Sequence, residues 1–277
     1  MWFGTDYKEM REMIRRLGIK EGDSVLIHSS FKSLGKVDGG VDTVIDAFLD
    51  AVGENGTVIV PTLCQNDWEH VYENWHMDAP SDVGYITNAF RKRENAFRSN
   101  QATHSVAAIG KDAEYITKTH GVTGKRIGIF GDTPFSADSP WEKMYEMNTK
   151  IVFLGVNLIS CTARHYAEYV FMDKCLDSIK NHPEYEEMVS KLWVYERWND
   201  AGVWPHIRSV ALQEKLSDEG KLIMKTCGNA TVLCVNTKDF VDASIDVMEN
   251  VNTDYLWDSP ETEVWIKEVK KMSKELK

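Results

Sequence analysis

Apolar residues recur at three- and four-residue steps through Met10, Met13, Ile14 and Leu17, the period of a helix with one buried face. Thr5 or Asp6 stands where such a helix needs a cap, and Gly18 where it should stop. The pattern then changes. "GDSVLIHSS" is a short apolar run closing on small polar residues, which predicts a buried strand running into a loop. "GKVDGG" is turn chemistry, "VDTVIDAFLDAVG" returns to helical spacing, and "GTVIVPT" is a second buried strand closed by Pro61. Helix, strand, loop, helix, strand argues for a layered α/β fold.

Residues 63–100 are rich in Trp, Asn, Asp and His and contain one predicted helix, "YITNAFRKRENA". "HSVAAIG" and "KIVFLGV" are two further strands. The long connection between them, "HGVTGKRIGIFGDTPFSADSP", has the length and composition of a functional or mobile loop. Segment 172–220 is dense in charges and aromatics without a clear period. "KLIMKTCGNATVLCV" reads as two strands joined by "CGNA", and "KDFVDASIDVMENV" and "ETEVWIKEVKKMSKEL" as closing helices. The expected architecture is an α/β layered domain with a mixed central sheet flanked by helices and a smaller C-terminal strand/helix annex. It forms a single domain, 1–277, with an insert at about 172–220.

Composition narrows the partners. The 277 residues are 43% hydrophobic and 27% charged, an ordinary globular balance. No apolar run approaches the roughly 18 residues of a membrane span, and the N-terminus lacks a basic flank followed by an apolar core. A cytoplasmic protein that does not engage membrane is expected. The formal net charge of −11 argues against nucleic acid and suits a cationic substrate. The five cysteines are odd in number and include no CxxC pair, so neither a disulfide framework nor a zinc site is expected, and no metal.

Two motifs fail on inspection. "GVTGKR" lacks the first glycine of a phosphate loop, where Thr119 stands, and has Arg126 where a magnesium-holding hydroxyl belongs. "HPEYEE" has no second histidine four residues on. His70, His76 and His120 lie in loops without metal-ligand spacing. "SCTARHYAEYVF" is different. Thr162 follows a strand and short loop and is a natural cap for a helix. Residues 162, 165, 168 and 169 would then share one helical face. His165 would sit in the first turn, at the C-terminal end of a strand, where open α/β sheets bind ligands. Glu168 could orient its ring. The same spacing also suits a histidine paired to Glu168 on an ordinary amphipathic helix.

Four blocks, in order, resemble the aminoglycoside 3-N-acetyltransferase family, antibiotic acetyltransferases distinct from the common acetyltransferase superfold. They are "GDSVLIHSSFKSLGKVDGGVDTVIDAFLDAVGENGTVIVPT", "FRSNQATHSVAAIG", "TPFSADSPWEKMYEMNTKIVFLGV" and "CTARHYAEY". The family usually has His-Pro soon after the Arg-Ser of the second block. This chain has Gln101 and Ala102 there, and its histidine follows at His104.

The resemblance implies acetyl transfer from acetyl-coenzyme A to an amine of an aminoglycoside or related amino sugar. An alkyl ammonium must lose a proton before attacking a thioester, and a histidine is suited to take it. His165 is assigned that role, with Glu168 orienting it. Thr162 and Ser105 are both candidate donors to the developing oxyanion. The family's coenzyme-contacting loop maps onto Ser29, Ser30, Phe31, Ser33, Gly35 and Val37, with Lys32 and Lys36 as local cations and His104 and Ser105 added to the set. Asp67 and Glu69, with Trp68 and Trp75, could hold a cationic acceptor by charge and cation–π contact. A homodimer is allowed. Two alternatives stand: an acyltransferase on a sugar nucleotide or other amino metabolite, and a cysteine-dependent acyl hydrolase using Cys161, His165 and Glu168.

Overall fold

The computed structural model describes residues 5–194, 202–256 and 260–277. The start of the N-terminal segment, part of the 172–220 insert and the approach to the last helix lie outside the described residues. Among the described residues seven strands form one sheet in the order β3-β4-β2-β1-β5-β7-β6. They are β1 Ser24–Ser29, β2 Thr57–Pro61, β3 Phe97–Arg98, β4 Val106–Gly110, β5 Lys150–Leu154, β6 Ile223–Cys227 and β7 Ala230–Asn236. β1 lies parallel to both β2 and β5, pairing Leu26 with Ile59 and with Ile151. The outer strands run antiparallel. The sheet is therefore mixed, as expected. The strands read as a C-terminal annex are instead its edge, because β7 pairs along the whole of β5.

Alternation along the strands sorts side chains between two cores. Val25, Ile27, Val58 and Val60 face one layer, which packs helices α1 (Tyr7–Arg16), α2 (Gly40–Val52) and, beyond the short α3 (Val71–Asn74), α4 (Tyr85–Phe90). Leu26, Ile59, Ile151 and Phe153 face the other. That layer holds α5 (Ala113–Thr117), α6 (Pro140–Glu146), α7 (Ala163–Ile179), α8 (Tyr185–Ser190), α9 (Ser209–Asp218), α10 (Thr237–Glu249) and α11 (Pro260–Glu275). α1 starts as its sequence dictates: Asp6 accepts from Glu9 N at 2.8 Å while Glu9 reaches back to Asp6 N at 3.2 Å. α4 is shorter than its pattern suggests. It ends at Phe90, the last residue on its apolar face, and Arg93 turns out to pair with Asp42 and Asp46 of α2.

α7 is the centre of the second layer. Ten of its 17 residues are buried, including Glu168, because α6, α8, α10 and α11 all pack on it. It follows β5 after a short connection, and its first turn shares a cleft with Leu63, just past the end of β2, so it stands at the C-terminal edge of the parallel strands.

Two histidines are sealed within this fold away from α7. His28 on β1 stacks on Phe153 at 5.5 Å between ring centres, and its Nε2 has no hydrogen-bond partner among the described residues. His120 bonds Ser99 Oγ and the Pro134 carbonyl, both at 2.9 Å. Burial lowers the first to about 3 and the second to about 4. Both are neutral when folded and charge on unfolding below the ordinary value of 6.5. The unfolded state therefore binds more protons, and stability is lost as pH falls from 6.5 toward 4. Urea titrations should show roughly 1.4 kcal/mol lost per pH unit for each histidine near pH 5. Replacing His28 with Phe or Leu should remove about 1.4 kcal/mol per pH unit from the measured slope near pH 5; an unchanged slope would contradict the assignment.

Candidate active site

The first turn of α7 carries the site. Glu168 is 1% exposed, and a carboxylate so deeply buried needs donors. It has three. His165 Nδ1 lies 2.8 Å from Oε2, Trp204 Nε1 donates to Oε2 at 3.0 Å, and the Ile207 backbone N–H donates to Oε1 at 3.0 Å. Burial pushes this carboxyl up, but His165, His206 and the Ile207 amide outweigh it and hold it below the ordinary value. Glu168 is thus ionised.

At the other end of the ring, Arg164 Nε donates to His165 Nε2 at 3.2 Å. Arginine has no acceptor, so Nε2 carries the lone pair and Nδ1 carries the proton given to Glu168. Burial lowers His165 below its ordinary value, against the raising effect of Glu168, and Arg164 lowers it further. The ring is a neutral base with a fixed tautomer, the state that general-base chemistry requires.

Around it lies a cleft of about 370 Å³ lined by Gln65, His104, Phe130, Thr162, Arg164 and His206 among others. Phe130 forms one wall, 4.7 Å from the His165 ring centre and 4.5 Å from that of His104. Tyr169, one turn after His165, fixes that wall: its hydroxyl accepts from Phe130 N at 2.8 Å and donates to Gly131 O at 2.9 Å. Gly128 allows the approach, since a Cβ there would lie 2.2 Å from the Tyr169 ring. His104 is buried, 5.9 Å from the His165 ring centre, and burial holds it well below its ordinary value. Gln101 stands where the family's histidine is usual. Its Oε1 accepts from His104 N at 2.5 Å, and its Nε2 donates to Tyr72 and Thr133 hydroxyls at 3.1 and 3.3 Å. It ties three loops together behind the cleft.

The expected residues divide. His165, Glu168, Thr162 and His104 come together. Thr162 precedes α7, but its backbone is already helical (φ −65°, ψ −27°) and its side chain makes no capping bond; the residue lines the cleft. Ser105 does not join them: it is fully buried, donating to Thr62 O at 2.9 Å and pairing with Thr62 Oγ1 at 2.8 Å. Asp67 and Glu69 do not line the cleft. Asp67 is held by His70 and Asn74 at 3.0 and 2.9 Å, while Trp68 between the two acids touches Phe130. Trp75 is covered by the chain's own Arg98, 4.6 Å over its ring. Cys161 is buried, with its thiol pushed up to about 12 by burial, which removes it as a thiolate nucleophile at neutral pH.

Ser29 closes β1, and Ser30, Phe31, Lys32, Ser33, Gly35 and Val37 lie in the turn that follows. A short 3-10 helix spans Phe31–Leu34 and ends at Gly35 with φ 79°. Ser33 donates to the Ser30 hydroxyl at 2.8 Å. Lys32 is exposed, Lys36 pairs with Asp38 at 3.3 Å, and Val37 is buried. Gly155, just beyond β5, brings that strand's end against Ser33, where a Cβ would come within 2.6 Å. The turn and the first turn of α7 therefore lie at the same edge of the sheet.

Residues 204–207 were not visible from sequence as part of the site. No period marked Trp204, His206 or Ile207 within a charge- and aromatic-rich segment. Arg164 was within a recognised motif, yet only coordinates show it on the imidazole.

Replacing Glu168 with Gln sets an amide NH₂ against one of three donors. Unfolding free energy should fall by about 1–3 kcal/mol, and Glu168→Ala should lose about 3–5 kcal/mol, both read by urea titration. A Gln variant as stable as wild type would contradict the ionised, threefold-bonded carboxylate.

The profile of the aminoglycoside 3-N-acetyltransferase family matches residues 26–249. The chain is 32% identical over 170 residues to aminoglycoside N(3)-acetyltransferase VII of Streptomyces paromomycinus, covering 55% of this chain and 56% of that one. It thus spans little more than half that relative's length. The apoenzyme of aminoglycoside acetyltransferase AAC(3)-IVa has a TM-score of 0.69 at 19% identity, over 97% of this chain and 99% of that one. A binary complex of AAC-IIIb with CoASH gives 0.68 at 17%, over 90% and 98%; at such identities the likeness is one of fold. With the family's profile matched over residues 26–249, most of its length, the chain belongs to the aminoglycoside 3-N-acetyltransferase family.

Proposed function

We propose that this protein transfers an acetyl group from acetyl-coenzyme A to an amine of an aminoglycoside or related amino sugar. The observation that carries the reading is the neutral His165, its Nε2 lone pair in the cleft and its Nδ1 proton on buried Glu168. Such a base, at the same C-terminal sheet edge as a Ser/Gly turn whose residues do not themselves line the cleft, suits proton removal from an amine next to a bound thioester. Family membership supports the substrate class, and the AAC-IIIb complex supports coenzyme A as donor.

The residues divide the work. Ser29, Ser30 and Ser33 and the exposed Lys32 would hold the pantetheine and diphosphate, since small residues admit a close backbone and the cation answers phosphate. His165 takes a proton from the attacking nitrogen. Glu168 stabilises the imidazolium that results. Thr162, free of any capping bond, is the hydroxyl placed to donate to the developing oxyanion. Arg164 must leave Nε2 for the amine to reach it, so part of its contact with His165 is replaced by substrate. The cysteine-dependent hydrolase reading loses its nucleophile with the burial of Cys161.

Thiol release from acetyl-coenzyme A, followed with gentamicin, apramycin, sisomicin, glucosamine and an amino-sugar nucleotide, tests the reading. At least one amine should stimulate release, and the product should be the N-acetyl compound. His165→Ala should lower kcat by about 10²–10⁴-fold, while Cys161→Ala keeps most activity. No stimulation by any amine, or loss on Cys161→Ala equal to that on His165→Ala, would overturn it.

A further inference from the structure

An alkylammonium acceptor poses a proton problem that one imidazole handles poorly. In forming the amide, the nitrogen gives up two protons: one before it attacks, one after the C–N bond forms. As the C–S bond breaks, one proton ends on the coenzyme sulfur and the other goes to solvent. His165 is suited to the second, because it is enclosed and can return that proton to the leaving thiolate. It is ill suited to the first, since a full ammonium would approach Nε2 against the Arg164 cation, whereas the nitrogen that gives up the second proton carries its charge beside the newly formed oxyanion.

His206 is the other imidazole in the cleft that is partly exposed. Its place is set by Glu168. Trp204 Nε1 and the Ile207 amide both donate to that carboxylate, and the His206 backbone N–H closes a turn on Trp204 O at 3.0 Å. His206 is therefore carried between two anchors of the same group that orients His165. Its ring packs edge-on against Trp193, 5.4 Å between centres. Neither ring nitrogen has a hydrogen-bond partner among the described residues, so a lone pair is open to an incoming N–H donor. The charged and titratable groups that act on it are Glu168, His165 and Arg164, all on α7. Burial keeps it below the ordinary imidazole value, hence neutral at pH 7.

We propose that His206 is a second catalytic base, which accepts the first proton of the ammonium and passes it to solvent while His165 handles the second. The proposal rests on the acetyltransferase reading. In atoms, RNH₃⁺ loses H⁺ to His206, the amine attacks the acetyl carbon, His165 takes the second proton, and the C–S bond breaks with return of that proton to sulfur. The products are the amide, the free thiol and one proton to solvent.

The test is kcat/KM against pH for wild type and His206→Gln, with whichever amine of the acceptor panel turns over. His206→Gln should lower kcat/KM by about 10²-fold at pH 7, with KM for acetyl-coenzyme A unchanged. The deficit should shrink as pH rises toward the amine's own pKa, where the acceptor arrives already neutral. Added imidazole should restore part of the loss. For wild type, log kcat/KM should be nearly flat from pH 7.5 up to the amine's own pKa, because the ammonium itself is the reacting form; His165 alone would require the free amine and give a slope of one over that range. That measurement stands even if the variant fails to fold, and His206→Asn serves as the second variant. An unchanged variant, a deficit constant with pH and not rescued by imidazole, or a wild-type slope of one would overturn the proposal while leaving acetyl transfer intact. Wild type that acetylates no amine would overturn both.

Discussion

A single ionised carboxylate, buried between a helix and a loop distant in sequence, organises this site. Taking a charge out of water costs several kcal/mol unless donors replace the solvent. Glu168 finds its donors in three places: its own helix at His165, the indole of Trp204 and the backbone at Ile207. The cost of burial is offset only when all three are present. Segment 204–207 must therefore close on α7 for the fold to be complete, and closing it builds one wall of the cleft. Stability and chemistry are coupled through the same two oxygen atoms.

The remaining architecture serves to bring that helix end to the right edge. Three parallel strands, β2, β1 and β5, end together, and α7 starts after a short connection, with a 3-10 turn at Leu158–Ser160, beyond the last of them. The turn after β1 reaches the same edge. The loop between β4 and β5 folds back over it with Phe130, pinned by Tyr169 from within α7. Gln101 then locks the loops behind, through His104, Tyr72 and Thr133. A residue unlike the family's usual histidine thus acts here through hydrogen bonds to its neighbours, with no need of a titrating group.

Much of this was legible in the chain. Strands with both faces buried read as unbroken apolar runs, and "VLIHS" and "IVFL" showed themselves that way. α1 announced itself by its stripe and its capping residue. The pairing of His165 with Glu168 followed from helical spacing. What stayed hidden depended on long-range contacts. Ser105 and Thr162 are both small hydroxyl residues near motif histidines, yet only the pairing of β2 with β4 spends one of them on Thr62. The acids at 67 and 69 looked like substrate ligands because charge in a loop carries no record of which way the loop faces. His206 had no periodic neighbour to mark it, since its position is set by anchors at 204 and 207 that lie on a carboxylate nearly forty residues earlier.

The central claim is that His165 is a neutral imidazole with its proton on Nδ1 and its lone pair on Nε2. Nitrogen-detected NMR of histidine-labelled protein at pH 7 reads this directly, with His165→Ala to assign the resonance. The account predicts a protonated Nδ1 and an unprotonated Nε2. A proton on Nε2, or an imidazolium with both nitrogens protonated, would contradict it.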